Sequence, residues 1–177
     1  MFTMKVDEDI ELALVQPSFC TAYLMLLNEN LDYLSEWLAW PPSIEGIGDF
    51  EVFVKQSLND YTNGKSMTCA IVFRGQIVGN ISYNTIDRQL ERVEIGYWLA
   101  ASHQGQGIMT RSVQHLVNYA FGTLNMRKVQ ISAATENAAS RGVCERLGFE
   151  LEGVIRRAER LSDRVVDHAV YGLVRGA

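Results

Sequence analysis

The chain is poor in the features on which several protein classes depend. Only three cysteines, Cys20, Cys69 and Cys144, occur in 177 residues. Their odd number and the lack of Cys-x-x-Cys or Cys/His spacing exclude a disulfide scaffold or a structural zinc core, so reduced thiols, a cytoplasmic setting and no metal are expected. There are only three prolines, and no low-complexity tract, repeat or linker separates one part of the chain from another. One domain over residues 1–177 is expected, long enough to bury a core. No apolar run reaches the ~18 residues of a membrane span, and the opening MFTMKVDEDI has no hydrophobic signal core. Positive charge is also short: 16 Lys and Arg against 21 Asp and Glu give a net charge of −5. That balance argues against a general nucleic-acid binder.

One shortage is local. From His103 through Thr135 there is neither Asp nor Glu, and Arg111, Arg127 and Lys128 are the only full charges. A locally cationic window in an acidic chain points to an anionic ligand. The window begins after Val93–Leu99, a β-branched and aromatic stretch that suits a buried strand. Gln104-Gly105-Gln106-Gly107 follows. From Met109 the apolar positions Val113, Leu116, Val117 and Ala120 form a helical stripe, with Gly122 expected as its C-terminal cap. A glycine loop opening into a helix presents unpaired N–H groups and a positive dipole end, a cradle for phosphate. A plain tight turn is the alternative.

Three phosphate-binding patterns compete. A P-loop needs Gly-Lys-Ser/Thr, but Ile108 and Met109 follow the last glycine. A dinucleotide fingerprint needs a third glycine where Thr110 stands and an acid about 20 residues on, whereas the first acid after the loop is Glu136. The third is the Gln/Arg-x-x-Gly-x-Gly/Ala signature with which GNAT acetyltransferases grip the pyrophosphate of coenzyme A. Gln104 and Gly107 match it, Gly105 matches its extended form, and Met109 departs from its last position.

The rest of the chain reads as mixed α/β. A strand is expected over 10–15, a helix capped by Ser18 and running to about Asn28, a second short helix over 31–40, and a third over 49–61. Met67–Phe73 and Gln76–Tyr83 flank an Arg74-Gly75 hairpin turn. Strands over 128–134, 151–158 and 164–174 and a helix starting at Asn137 complete the order, with Gly148 ending that helix. Strands joined through the 108–121 helix should be parallel. Trp37, Leu38 and Trp40 crowd the Pro41-Pro42 pair, either as core or as the wall of an acceptor pocket.

Thr135-Glu136-Asn137-Ala138-Ala139-Ser140 followed by Glu145-Arg146-Leu147-Gly148-Phe149 resembles the Asn-x-x-Ser…Gly-Phe pattern of the RimJ/RimL branch of the GNAT superfamily. QGQGIMT, IGYWL, LEGV and Ala158-Glu159-Arg160-Leu161 are similar to RimL-type ribosomal-protein-serine acetyltransferases, and Trp40-Pro41 fits as well. The resemblance implies the GNAT fold: a central, mostly antiparallel sheet of about seven strands with a splayed parallel pair, flanked by helices. It implies acetyl-CoA as co-substrate, held by the backbone at Tyr97, Trp98 and Leu99 along the pantetheine. The loop Gln104, Gly105, Gln106, Gly107, Ile108, Met109 and Thr110 would hold the pyrophosphate, and Asn137 would both cap its helix and bind the cofactor.

For the chemistry the resemblance implies Ser140 beside the cofactor sulfur, helping to protonate the leaving thiolate, with Tyr171 as the fallback, and Glu159 as the base. Glu159 also reads as a solvated charge beside Arg156, Arg157 and Arg160. His115 lies opposite the apolar stripe and is expected to be exposed, His103 is expected in a surface turn, and His168 falls in a late strand. The implied acceptor is the N-terminal α-amine of a ribosomal protein beginning with Ser, with a homodimer as the implied assembly and neither nucleic acid nor membrane as partner. A small-amine acetyltransferase acting on a polyamine or aminoglycoside is the rival enzyme reading. A non-catalytic acyl-CoA sensor is the rival outside catalysis, disfavoured by Ser140 and Glu159 occurring together.

Overall fold

The computed structural model describes residues 2–176. Eight strands form one sheet: β1 Thr3–Lys5, β2 Ile10–Leu14, β3 Met67–Phe73, β4 Gln76–Asp87, β5 Arg92–Leu99, β6 Lys128–Ala134, β7 Glu150–Arg160 and β8 Val165–Val174. Four α-helices accompany them: α1 Cys20–Ser35, α2 Ile47–Thr62, α3 Ile108–Gly122 and α4 Ala138–Arg146. The strand order is β1-β2-β3-β4-β5-β6-β8-β7. Every neighbouring pair is antiparallel except β5 and β6. This is the mixed, mostly antiparallel architecture expected, with β1 as an added strand too short to show any periodicity.

Both faces of the sheet are covered, which explains why β3 is buried over most of its length instead of alternating. Leu12, Ile71, Ile81, Tyr83 and Ile95 pack with Ile108, Val113, Leu116 and Ala120 of α3 on one face. Ala13 and Ala70, one residue out of phase, pack with Tyr23, Leu27, Phe50 and Val54 of α1 and α2 on the other. The Tyr83 hydroxyl crosses the first core and donates to the Leu116 carbonyl.

The hairpin turn falls at Arg74-Gly75 as expected, both residues having positive φ. Three local expectations are corrected. Ser18 is not a helix cap: it lies in a single 3₁₀ turn, its hydroxyl accepts from Gln16, and α1 starts at Cys20 without a side-chain cap. The two helices expected over 18–28 and 31–40 meet at Asn30, whose φ of −125° and ψ of 16° break the helix, but the second ends at Ser35 rather than Trp40. Asn30 stabilises the kink by donating to the Leu26 carbonyl at 2.8 Å and accepting from the Ala101 N–H at 2.9 Å, which ties α1 to the end of β5. Gly122 is the last helical residue of α3 rather than its cap; Thr123 caps, and Asn125 takes the left-handed conformation.

β4 and β5 approach unusually closely at Gly79. A Cβ there would lie 2.3 Å from the Trp98 carbonyl oxygen and 3.0 Å from the Leu99 Cα. Gly79→Ala should push β5 away from β4 and destabilise the protein by about 1–3 kcal/mol. Urea unfolding measures the loss, and an unchanged midpoint would mean that the strands part without cost.

Candidate active site

β5 and β6 are hydrogen-bonded only from Arg92/Lys128 to Ile95/Ile131. Both strands continue, to Leu99 and Ala134, with no ladder partner across the gap that opens. A cavity of about 1170 Å³ fills it. Tyr97, Trp98 and Leu99 line one wall, and Ser132–Ala134 with Asn137 and Ser140 line the other. Trp37 and Trp40 also line it, so they wall the pocket while packing at its aromatic end; Trp40 lies 6.0 Å from Trp98 between ring centroids.

The loop leading from β5 to α3 holds Gly105 at φ 73° and Gly107 at φ 70°. A Cβ on Gly107 would meet nothing nearer than Arg111 Nε at 4.0 Å, so the left-handed backbone, not crowding within the protein, is what calls for glycine. The backbone N–H groups from Gly105 through Thr110 have no acceptor among the described residues. Six consecutive donors at the start of a helix form the cradle that an anion requires.

The charge argument needs correction. Arg111 pairs with Asp7 at 2.6 Å, Lys128 with Glu152 at 2.6 Å and Arg127 with Glu91 at 3.8 Å. Each cation of the acid-free window is matched by a carboxylate from outside it. Arg111 also donates to the Gln106 and Gly107 carbonyls, bracing the loop from below. The cation left at the cradle is Arg146, which reaches Thr110 Oγ1 at 3.3 Å and has no carboxylate within 4.0 Å among the described residues.

Asn137 caps α4 as expected, its Oδ1 accepting from the Ser140 N–H at 3.1 Å. The Ser140 hydroxyl lies 3.0 Å from the Tyr97 hydroxyl, which also donates to the Ser140 carbonyl. Burial pushes the Tyr97 phenol far above its ordinary value, so it stays neutral. The same effect pushes Cys144, on the next turn of α4, up to about 11 and keeps it an inert thiol.

Glu159 pairs with His168, Nε2 to Oε2 at 3.0 Å, and both line the cavity. Arg156, Arg157 and Arg160 form no ion pair with it. The bulge in β7 opposite Asp167, where Arg157 takes φ 51° and donates its N–H to Asp167, carries Glu159 round to Val166 and sets this geometry. Sequence spacing alone did not reveal the pair. Tyr171 is buried away from the cavity, bound to Arg141 and Glu145, and therefore does not serve as the fallback acid. His115 is half-buried rather than exposed, and burial lowers its pKa. His103 sits in a surface turn against Phe73.

A splayed parallel pair, an N–H cradle at the helix mouth and a Ser-bearing helix start across the gap define the class: an N-acetyltransferase that uses acetyl-CoA. Residues 20–150 match the family described as Acetyltransferase (GNAT) domain, and the chain belongs to that family. Over 97% of its length it is 31% identical to the ribosomal-protein-serine acetyltransferase of Escherichia coli (strain K12), covering 96% of that protein. It is 31% identical, over 99% of this chain and 96% of the other, to the putative ribosomal N-acetyltransferase YdaF of Bacillus subtilis (strain 168). The solved structure of RimL, a ribosomal L7/L12 alpha-N-protein acetyltransferase in complex with coenzyme A, superposes with a TM-score of 0.94 at 28% identity, covering 98% of both chains.

The brace beneath the loop generates a pH prediction. Burial alone would raise the Asp7 pKa, but the N–H groups of Asp9 and Ile10 and the Arg111 guanidinium outweigh it and hold the carboxyl below its ordinary range. A depressed folded value contributes stability above the unfolded value of about 3.9 and loses it as pH falls through the folded value. Asp7→Asn should therefore cost about 1 kcal/mol near neutrality. In urea unfolding, the gap from the unsubstituted protein should close on acidification; a constant gap would show that the charge contributes nothing.

Proposed function

We propose that this chain, as one GNAT domain over residues 1–177, acetylates the N-terminal α-amine of a ribosomal protein beginning with Ser. The observation that carries this is the wide cavity with Ser140 on one wall and Glu159–His168 on another. Glu94, Glu136 and Glu159 line the cavity, and among the described residues no Lys or Arg does. An anionic, aromatic-lined cavity attracts an ammonium group. An α-amine also sheds its proton more readily than lysine, at a pKa of about 7.7–8 against about 10.4, so a single carboxylate–imidazole pair is enough to complete the deprotonation.

In this reading the N–H groups of Gly105–Thr110 hold the pyrophosphate, with Gln104 and Gln106 framing the loop and Arg146 facing the phosphates. The open edge at Tyr97, Trp98 and Leu99 takes the pantetheine arm. Acetyl-CoA supplies an activated acetyl thioester. Glu159, oriented by His168, accepts the proton lost by the attacking amine. Ser140 donates to the departing sulfur, and the neutral Tyr97 phenol fixes the Ser140 hydroxyl from behind. We place this activity in the cytoplasm, in a homodimer. The acidic lining also favours a second reading, a small cationic amine such as spermidine.

A thiol-release assay with acetyl-CoA distinguishes these readings. A peptide beginning with Ser should be acetylated, and blocking its N-terminus should abolish turnover. Preference for spermidine over every peptide would establish the second reading instead. Ser140→Ala should lower kcat by about 10²-fold or more with little change in coenzyme A affinity. Glu159→Gln should cost a similar factor and recover partly as rising pH supplies neutral amine. Wild-type rates for Glu159→Gln from acid to alkaline pH would assign the base to another group.

A further inference from the structure

β7 is the last strand of the sheet, with β8 on one side and, among the described residues, no strand on the other. Every residue from Glu150 through Ala158 is exposed, so the strand is open on both faces as well as along its outer edge. Three large apolar residues stand within five positions: Leu151 is 50% exposed, Val154 52% and Ile155 57%. An open edge strand with an apolar centre is a template for pairing with another chain.

The glycine in the middle of this stretch is an independent signal. Gly79, Gly96, Gly153 and Gly172 all lie within strands. A Cβ would come within 2.3 Å of the Trp98 carbonyl at Gly79, 2.4 Å of the Asn84 side chain at Gly96 and 2.2 Å of the Glu152 carboxylate at Gly172. At Gly153 it would meet nothing within 4 Å, and φ there is not left-handed. Nothing inside the chain therefore calls for glycine at 153. Glycine inside a strand weakens it and marks a place where another backbone approaches closely.

Charge says which chain approaches. Glu150 stands at one end of the exposed stretch and Arg156 at the other, and neither forms an ion pair among the described residues. Glu152, where the register with β8 shifts, is already held by Lys128. A two-fold axis at Gly153 sets the strand antiparallel against its own copy. Glu150 then meets Arg156 of the partner subunit, and Leu151 meets Ile155 of the partner subunit. A parallel arrangement would set Glu150 against itself. Two-fold contacts require this self-complementarity. The bulge that follows Ile155 ends the regular edge and limits the pairing on that side.

We infer that the outer edge of β7, centred on Gly153, is the surface through which two copies of this chain associate. This rests on the homodimer of the proposed function and names its interface. Ala158 and Glu159 of the same strand line the cavity, so the second copy stands beside it in each protomer.

Sedimentation velocity on the full chain tests this. The unsubstituted protein should sediment as a dimer. Gly153→Val touches nothing within the protomer and should raise the dimer Kd at least about tenfold while leaving the circular dichroism spectrum unchanged. Glu150→Arg and Arg156→Glu should each weaken the dimer similarly, by setting like charges opposite one another. An equimolar mixture of these two variants should recover the dimer, because opposite charges then face each other at both ends. A dimer that none of the three substitutions weakens, or a mixture no tighter than the single variants, overturns this interface and leaves the homodimer standing. A monomeric unsubstituted protein overturns both.

Discussion

The four-residue limit on hydrogen bonding between β5 and β6 is the constraint from which the site follows. Up to Ile95 and Ile131 the two strands form an ordinary parallel ladder, and beyond them they diverge. A sheet that stayed closed would bury the edge of Tyr97–Leu99 in a ladder and bring α4 against it. Because the pair opens, backbone groups that a sheet would normally consume are left for a ligand, and the gap becomes a cavity with a helix start on either side. The rest of the fold holds that opening in place. α3 packs across the closed part of the pair, Asn30 pins α1 to the residues after β5, and β8 pairs with β6 through to Ala134, so that the divergent end of β6 keeps a partner on its other side.

Around the loop before α3, unpaired dipoles outnumber unpaired charges. Arg111, Arg127 and Lys128 are each neutralised by a carboxylate, and Arg111 serves mainly to brace the loop carbonyls. The unpaired N–H groups of Gly105–Thr110 remain, with Arg146 nearby. The cavity itself is lined by Glu94, Glu136 and Glu159 and, among the described residues, by no Lys or Arg. Ser140 and the Glu159–His168 pair line the walls of the same cavity.

Much of this was legible in the chain. The β6 boundaries, the Arg74-Gly75 hairpin, the glycine loop before α3 and the Asn137 cap follow from local chemistry: β-branched periodicity, residues that tolerate positive φ, and a side chain that bonds its own helix start. The two signatures, around Gln104–Gly107 and Asn137–Ser140, were enough to indicate the family, because local backbone conformation is what those residues specify. The break at Asn30 was legible too, and Ala101, far along the chain, donates to the Asn30 side-chain oxygen there. Helix ends were less legible: Ser18 does not cap α1, and the chain leaves the helix at Ser35 rather than Trp40.

The sequence by itself determined which segments become strands and helices, which glycines turn the backbone, and that a glycine loop opens directly into α3. Those properties depend on neighbours within a few residues. Only the tertiary structure decided that the cations of the acid-free window are already paired and that Tyr97 stands behind Ser140. It likewise decided that Glu159 meets His168 rather than an arginine. Each of these joins residues distant in sequence, through strand register, a bulge or a helix docked on the sheet. Coulomb attraction and hydrogen bonding act over a few ångströms in space, and no spacing along the chain encodes that distance.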